Sequence, residues 1–290
     1  MTDRSRPPTP PLPETAFAGL PASSLGLTGP RASYREAGPR AGGGTVLLLH
    51  GIGSNATGWR FLLDDLGAEH RVIAWNAPGY WLSDGFAAEA PRIEDYADAA
   101  AALLDALGVE QAFVAGSSFG ALVAAGLAAR HPGRVARLAL FGASAGFRSK
   151  PAAERARVLA MRAESIAEGG LALAEKRWQR LVAPDTPAEV VALLQRTLAG
   201  THRDGMLQAA RAIDAADLVA DFAARIGCPT LVACGTEDLV NPPSVSEAIA
   251  AAIAGSWLEI LPGVGHISKL EVPRAVAALL RRHFHVEGDL

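Results

Sequence analysis

Cysteine is scarce in this chain of 290 residues: only Cys228 and Cys234 occur. They lie six residues apart in an apolar run that reads as a strand. Their Cα atoms are therefore expected about 20 Å apart, too far for a disulfide. That excludes a disulfide scaffold and fits a reducing compartment, so the expected location is cytoplasmic. An excess of one charge is also missing. With 27 Lys and Arg against 30 Asp and Glu, the net charge is −3, which gives no electrostatic footing for nucleic acid or an anionic membrane. The uncharged run Ala112 to Ala129 is interrupted by Gly116, Ser117, Ser118, Gly120 and Gly126. A buried strand and helix explain it better than a membrane span. Near the N-terminus, Arg4 and Arg6 precede prolines at 7, 8, 10, 11 and 13, where a secretory signal would carry its apolar core; no signal peptide is expected. There is no His-x-x-x-His pair and no cysteine cluster, so no metal and no other cofactor is expected. Gly42-Gly43-Gly44 is no phosphate loop, because no helix follows it.

What is present is a long, half-hydrophobic chain, enough for one large α/β domain or one domain with an insertion. Residues 1–14 are Pro-rich and expected to be disordered. Residues 15–37 read as two short antiparallel strands, with Ala32 to Arg35 in the second. After the turn Gly38 to Gly44, Thr45 to Leu49 is a continuous apolar run, the signature of a strand buried on both faces. Arg71 to Trp75, Gln111 to Ala115, Val135 to Phe141, Thr230 to Ala233 and Trp257 to Leu261 repeat it. Helical stretches lie between them: Ile93 to Leu107, Phe119 to Arg130, Ser244 to Ala254 and Val272 to His283. Strand–helix alternation predicts a mostly parallel sheet with helices on both faces. The alternation breaks once, after the sixth strand. Residues 147–210 read as helices only, including Ala152 to Glu168 and Pro187 to Leu198, and are expected to form a cap. The core is then 15–146 plus 211–290.

One pentapeptide organises the reading: Gly116-Ser117-Ser118-Phe119-Gly120. It fits G-x-S-x-G, which recurs by chance in a glycine-rich chain, so its context matters. An apolar strand precedes it and an Ala/Leu-rich helix follows, the setting of a nucleophile elbow. Ser118 would be exposed at the carboxyl edge of the sheet, with the Phe119 N–H pointing at a developing oxyanion. Its plainer reading is a turn between strand and helix. His50-Gly51-Ile52-Gly53 follows the strand at 45–49, and the Ile52 N–H would be the second oxyanion donor. His50 itself fits a structural hydrogen-bonding role. Gly235-Thr236-Glu237-Asp238 follows the strand at 230–233. Asp238 is placed to hold a histidine, with Glu237 its rival and helix capping its plainer role. No carboxylate follows the sixth strand, where the chain reads Gly142-Ala143-Ser144-Ala145-Gly146. His266 stands in the glycine-flanked loop after the last strand. The order Ser118, Asp238, His266 is that of a serine, acid and histidine at three strand ends.

The stretches LLLHGIGSNATGW, RVIAWNAPGYWLSD, GSSFG, PTLVACGTEDLVNPP and LPGVGHISKLEVP resemble the α/β-hydrolase superfamily over residues 30–285. The branch most similar is that of bacterial esterases, enol-lactonases and meta-cleavage hydrolases. The resemblance implies an α/β-hydrolase fold, an eight-stranded sheet with a helical cap. It implies catalysis by Ser118, Asp238 and His266, with an oxyanion hole at Ile52 and Phe119. A serine at the nucleophile position argues against haloalkane dehalogenases and epoxide hydrolases. The expected activity is cleavage of a small ester, lactone or related acyl compound through an acyl-enzyme. The alternatives are a C–C bond hydrolase with the same triad and a non-catalytic binding module. Trp178, Leu181 and Met206 of the cap are candidates for the substrate pocket or for cap packing. Neither nucleic acid nor membrane is an expected partner, and the oligomeric state is left open.

Overall fold

The computed structural model describes residues 7–40 and 42–284. Among them, eight strands form one sheet: β1 (Thr15–Gly19), β2 (Arg31–Ala37), β3 (Thr45–Leu49), β4 (Arg71–Trp75), β5 (Ala112–Ser117), β6 (Val135–Phe141), β7 (Thr230–Gly235) and β8 (Trp257–Leu261). Their order across the sheet is β1-β2-β4-β3-β5-β6-β7-β8. The β1–β2 and β2–β4 pairs are antiparallel, and the pairs from β4 through β8 are parallel. Parallel strands put their carboxyl ends, and the loops that follow, on one edge, where open α/β sheets hold their sites.

The continuous apolar runs are explained by two cores. Side chains alternate across a strand. Leu47 and Leu49 face one layer with Ile73, Val114, Leu138 and Val232. Val46 and Leu48 face the other with Val72, Ala115, Ala139 and Leu231. Helices Ile93–Ala106 and Phe119–Arg130 cover the first face, and Arg60–Leu66 and Pro273–Phe284 the second. Helix Phe119–Arg130 is buried all round except at Arg130, as its lack of polar residues requires. At about 1.5–3 kcal/mol for each fully buried Leu or Val, these layers dominate stability.

Strands β5 and β7 each run two residues beyond their apolar stretches. The ladder explains this: Ser117 pairs with Phe141 and Gly235 with Leu261, and backbone hydrogen bonding does not depend on side-chain hydrophobicity. Between β6 and β7 the chain is helical, with Ala152–Ala167, Gly170–Lys176, Ala188–Ala199 and Arg203–Ala215. The excursion closes where Gly146 bridges Asp217. A cap boundary at 210 would cut helix Arg203–Ala215, so the return lies near 217 instead. The Pro-rich segment 1–14 is described only in part. Residues 1–6 lie outside the described residues. Residues 7–14 carry no helix or strand, yet Pro10 is buried and the Pro13 carbonyl accepts from the Arg35 guanidinium. The segment is thus held to the domain at Pro10 and Pro13, while Pro8, Thr9, Pro11 and Glu14 are exposed. Cys228 and Cys234 are both free. No described helix is long and apolar enough to cross a membrane.

Candidate active site

Ser118 follows β5 at φ 56°, ψ −114°, one of two described non-glycine residues with positive φ. Such a backbone costs of order 1–3 kcal/mol and persists only where its surroundings enforce it. Here they do. The Ser118 N–H donates to Phe141 O at 2.9 Å, and its carbonyl accepts from Ala121 and Leu122 in the following helix. The glycines of the pentapeptide answer to close approach: a Cβ at Gly116 would lie 2.2 Å from Gly120 O, and one at Gly120 2.1 Å from Leu49 O.

Asp238 and His266 meet from the loops after β7 and β8. His266 Nδ1 and Asp238 Oδ2 are 2.7 Å apart, with both side chains buried. The other oxygen, Oδ1, accepts from the Val240 and Asn241 amides, each at 2.8 Å. The carboxylate is thus held while it orients the imidazole. Glu237 is exposed and contacts Thr236 Oγ1 at 3.2 Å, so the structure brings Asp238, not its rival, to the histidine. Gly142 joins these pieces. It follows Phe141, which holds Ser118, and a Cβ there would lie 3.0 Å from Asp238 Oδ2 and 3.2 Å from His266 Nδ1. The position that lacks a carboxylate also lacks room for a side chain. Ser118 Oγ has no hydrogen-bond partner among the described residues.

The loop after β3 lies against the elbow, since a Cβ at Gly51 would be 3.4 Å from Ser118 Cβ. Neither the Ile52 nor the Phe119 N–H is used by another described group. Tyr80 Oη donates to Ile52 O at 2.9 Å, fixing the peptide beyond the Ile52 amide. His50 is structural: its Nε2 accepts from the Ala77 N–H at 3.1 Å, so Nδ1 carries the proton given to Gly51 O at 2.9 Å. Burial pushes its pKa down to about 4, which keeps it neutral.

The cap reaches the site through residues 181–186. Ile267 N donates to Leu181 O at 3.2 Å. Glu271 Oε1 accepts from Ala183 N at 2.8 Å, Thr186 Oγ1 at 2.9 Å and Gly265 N at 3.2 Å, so one carboxylate clamps the cap to the residue before His266. Trp178 and Leu181 pack against a cluster with Leu193, Leu194 and Ile267. Met206 is buried in the main core. A cleft of about 210 Å³ opens between cap helix Ala188–Ala199 and residues 55–60. Its lining includes Asn55, Thr57, Arg60, Trp81, Arg196 and Thr197, but none of the three cap residues expected at a pocket. Arg60 Nε is buried with no hydrogen-bond partner. Burial first, then the like charges of Arg196 and Arg35, lowers its pKa. Trp81 is the second residue with positive φ, at 52°. Among the described residues no group of three or more His, Cys, Asp or Glu could hold a metal ion.

Sequence reasoning missed Lys269, which is buried and bonded to the elbow, as well as Glu271, Arg60 and Arg196. A signal existed for the first two: Lys269 and Glu271 alternate with the apolar Ile267, Leu270 and Val272 directly after His266.

Comparison with known proteins bears on the family and the fold. The sequence profile of the alpha/beta hydrolase fold matches residues 44–273. The chain is 31% identical over 263 residues to 2-hydroxymuconate semialdehyde hydrolase of Pseudomonas sp. (strain CF600), covering 84% of this chain and 87% of that protein. The enol-lactonase from Burkholderia xenovorans LB400 superposes with a TM-score of 0.81 at 28% identity, covering 93% of this chain and 99% of that one. A thermophilic esterase from Thermogutta terrifontis gives 0.80 at 26% identity, with 93% and 97% covered.

Proposed function

The chain belongs to the α/β-hydrolase fold family, and on that premise we propose that it is a serine hydrolase of small carboxylic esters or lactones. The observation that carries the reading is the meeting at Gly142 of a strained Ser118 and the hydrogen-bonded Asp238–His266 pair. His266 takes the proton from Ser118 Oγ as it attacks the carbonyl carbon. Asp238 fixes the tautomer with Nε2 facing the serine and stabilises the imidazolium. The Ile52 and Phe119 amides receive the oxyanion, and the elbow turn aims the second of them. The leaving group departs with the proton from His266, and water then attacks the acyl-enzyme with the same base. The cleft beside the cap is lined by Arg60 and Arg196, with no carboxylate among its described lining residues. It does not include the triad residues; if it admits part of the substrate, its two guanidiniums favour one that carries a carboxylate. The cap, clamped to the histidine loop by Glu271, excludes water and selects the acyl group. The free thiols fit the reducing cytoplasm.

A second reading, hydrolysis of a C–C bond by the same triad, is favoured by the similarity to 2-hydroxymuconate semialdehyde hydrolase. The experiment is fluorophosphonate labelling located by mass spectrometry, followed by kinetics on p-nitrophenyl esters, a lactone and a ring-cleavage dienoate. An adduct on Ser118, absent in Ser118→Ala, is expected together with a loss of roughly 10⁴-fold or more in kcat. A variant that keeps more than a tenth of wild-type kcat refutes the assignment. Faster turnover of the dienoate than of any ester or lactone selects the second reading. A wild type that neither labels nor turns over any of them points to a binding module.

A further inference from the structure

Lys269 lies three residues beyond His266, in the single helical turn Ser268–Glu271. It is 4% exposed. Its Nζ donates to Ser117 Oγ at 2.8 Å and stands 4.8 Å from the centre of the Trp59 ring. Among the described residues no carboxylate forms an ion pair with it. Glu271 attracts it from the same turn without an ion-pair contact: Oε1 is taken by Ala183, Thr186 and Gly265, and Oε2 is buried with no hydrogen-bond partner among the described residues. The ammonium therefore has one hydroxyl and one aromatic face in place of water.

A buried charge without an ion-pair partner is costly, and an apolar side chain of the same length would avoid that cost. The contacts indicate what the charge secures. Ser117 is the last rung of β5, paired with Phe141, and immediately precedes Ser118. Lys269 belongs to the segment that carries His266. Its side chain thus bridges the two chain segments whose separation sets the distance from nucleophile to base. Its charge is also felt by His50, at the start of the loop that carries Ile52. Trp59, farther along the same segment, supplies the aromatic face.

We propose that Lys269 is a positioning residue for the reaction: its buried ammonium ties the histidine segment to the strand end bearing Ser118 and fixes a positive charge beside the oxyanion loop. This rests on the serine-hydrolase reading. Negative charge on the substrate oxygen is greater in the transition state than in the bound substrate. A fixed cation nearby therefore raises kcat more than it lowers KM. Proper spacing of Ser118 and His266 acts on kcat in the same way.

The test uses the full-length chain and p-nitrophenyl acetate, with fluorophosphonate labelling rates measured in parallel. Wild-type labelling at Ser118 is the control. If it is absent, the serine-hydrolase reading fails first, and this inference with it. An adduct on Ser117 would make Ser117 and Lys269 a nucleophile pair and overturn the positioning role. With labelling at Ser118, Lys269→Met should lower kcat about tenfold or more, the scale of one charge-assisted hydrogen bond, with KM changed by about twofold or less. Lys269→Gln keeps a donor for Ser117 without the charge: recovery of kcat assigns the effect to the tie, and no recovery assigns it to the charge. Wild-type kcat in Lys269→Met overturns the inference, whatever happens to its melting temperature. If that variant does not fold, Ser117→Ala decides. It removes the acceptor and keeps the lysine, so a loss of kcat supports the tie; an unchanged kcat there together with an unchanged kcat in Lys269→Gln, which removes the charge, overturns the inference.

Discussion

Replacing Lys269 with methionine should make the folded protein more stable at neutral pH, even as it slows the reaction. Burial lowers the pKa of this amine from 10.5 to about 8, with attraction from Glu271 opposing the shift. The folded protein therefore gives up that proton more readily than the unfolded chain. At about 1.4 kcal/mol for each tenfold change in proton affinity, holding the charge inside costs about 3 kcal/mol. Below pH 8 both states are protonated and the cost is felt in full. Between about 8 and 10.5 the folded state is neutral while the unfolded chain still binds the proton, so the cost shrinks as pH rises. Methionine preserves length and removes the charge. It leaves Ser117 Oγ without its donor, a loss of about 1 kcal/mol. The net gain at pH 7 is about 2 kcal/mol, or several degrees in melting temperature. The assay is urea unfolding of wild type and variant from pH 7 to 10. Their difference should be greatest at pH 7 and should narrow through pH 9 to 10. Comparing the two proteins at each pH cancels the titration of cysteines and tyrosines common to both. A variant less stable than wild type at pH 7, or a difference that does not change with pH, would refute the reasoning.

Asp238→Asn should lower kcat about 10⁴-fold, since an amide cannot hold the imidazole tautomer or stabilise its charge, while Glu237→Gln should leave ester kinetics unchanged; the reverse pattern would give the acid role to Glu237. Gly142→Ala forces a methyl into the 3.0 Å approach to Asp238 Oδ2 on a backbone of φ 48°, so kcat should fall at least tenfold with the fold retained by circular dichroism; wild-type activity would show that the Asp238–His266 pair tolerates displacement. Arg60→Gln and Arg196→Gln should slow hydrolysis of a carboxylate-bearing half-ester about tenfold or more relative to a neutral ester of equal length, and equal effects on both esters would remove the cleft from substrate recognition. His50 and His283 are each lowered to about 4 mainly by burial. Because the unfolded chain binds these protons from about pH 6.5 downward and the folded state does not until about pH 4, stability should fall steadily across that window; a flat urea midpoint from pH 6.5 to 4.5 would contradict it.

Much of this molecule is set by local pattern. The runs at 45–49, 71–75, 135–141 and 257–261 became strands with those bounds; the central ones are buried along most of their length and so are largely apolar, whereas the edge strand 257–261 is buried only at Leu261. The Ser118 elbow was legible because a strained turn needs small neighbours on both sides, and the sequence supplies Gly116 and Gly120. The strand ends carrying Ile52, Asp238 and His266 follow from the same alternation, since parallel strands deliver successive loops to one edge. Other features are not properties of a segment. Strand β5 includes Ser117 because β6 offers it a ladder partner. Trp178 and Leu181 pack in the cap and Met206 in the main core because neighbours distant in sequence surround them. Asp238 prevails over Glu237 because its loop turns one carboxylate inward to His266 and leaves its neighbour in water. Lys269 and Glu271, two residues apart, show in the sequence only as charges beside apolar neighbours. Only the meeting of cap, histidine loop and elbow buries them, since burial depends on what the rest of the chain places over a residue.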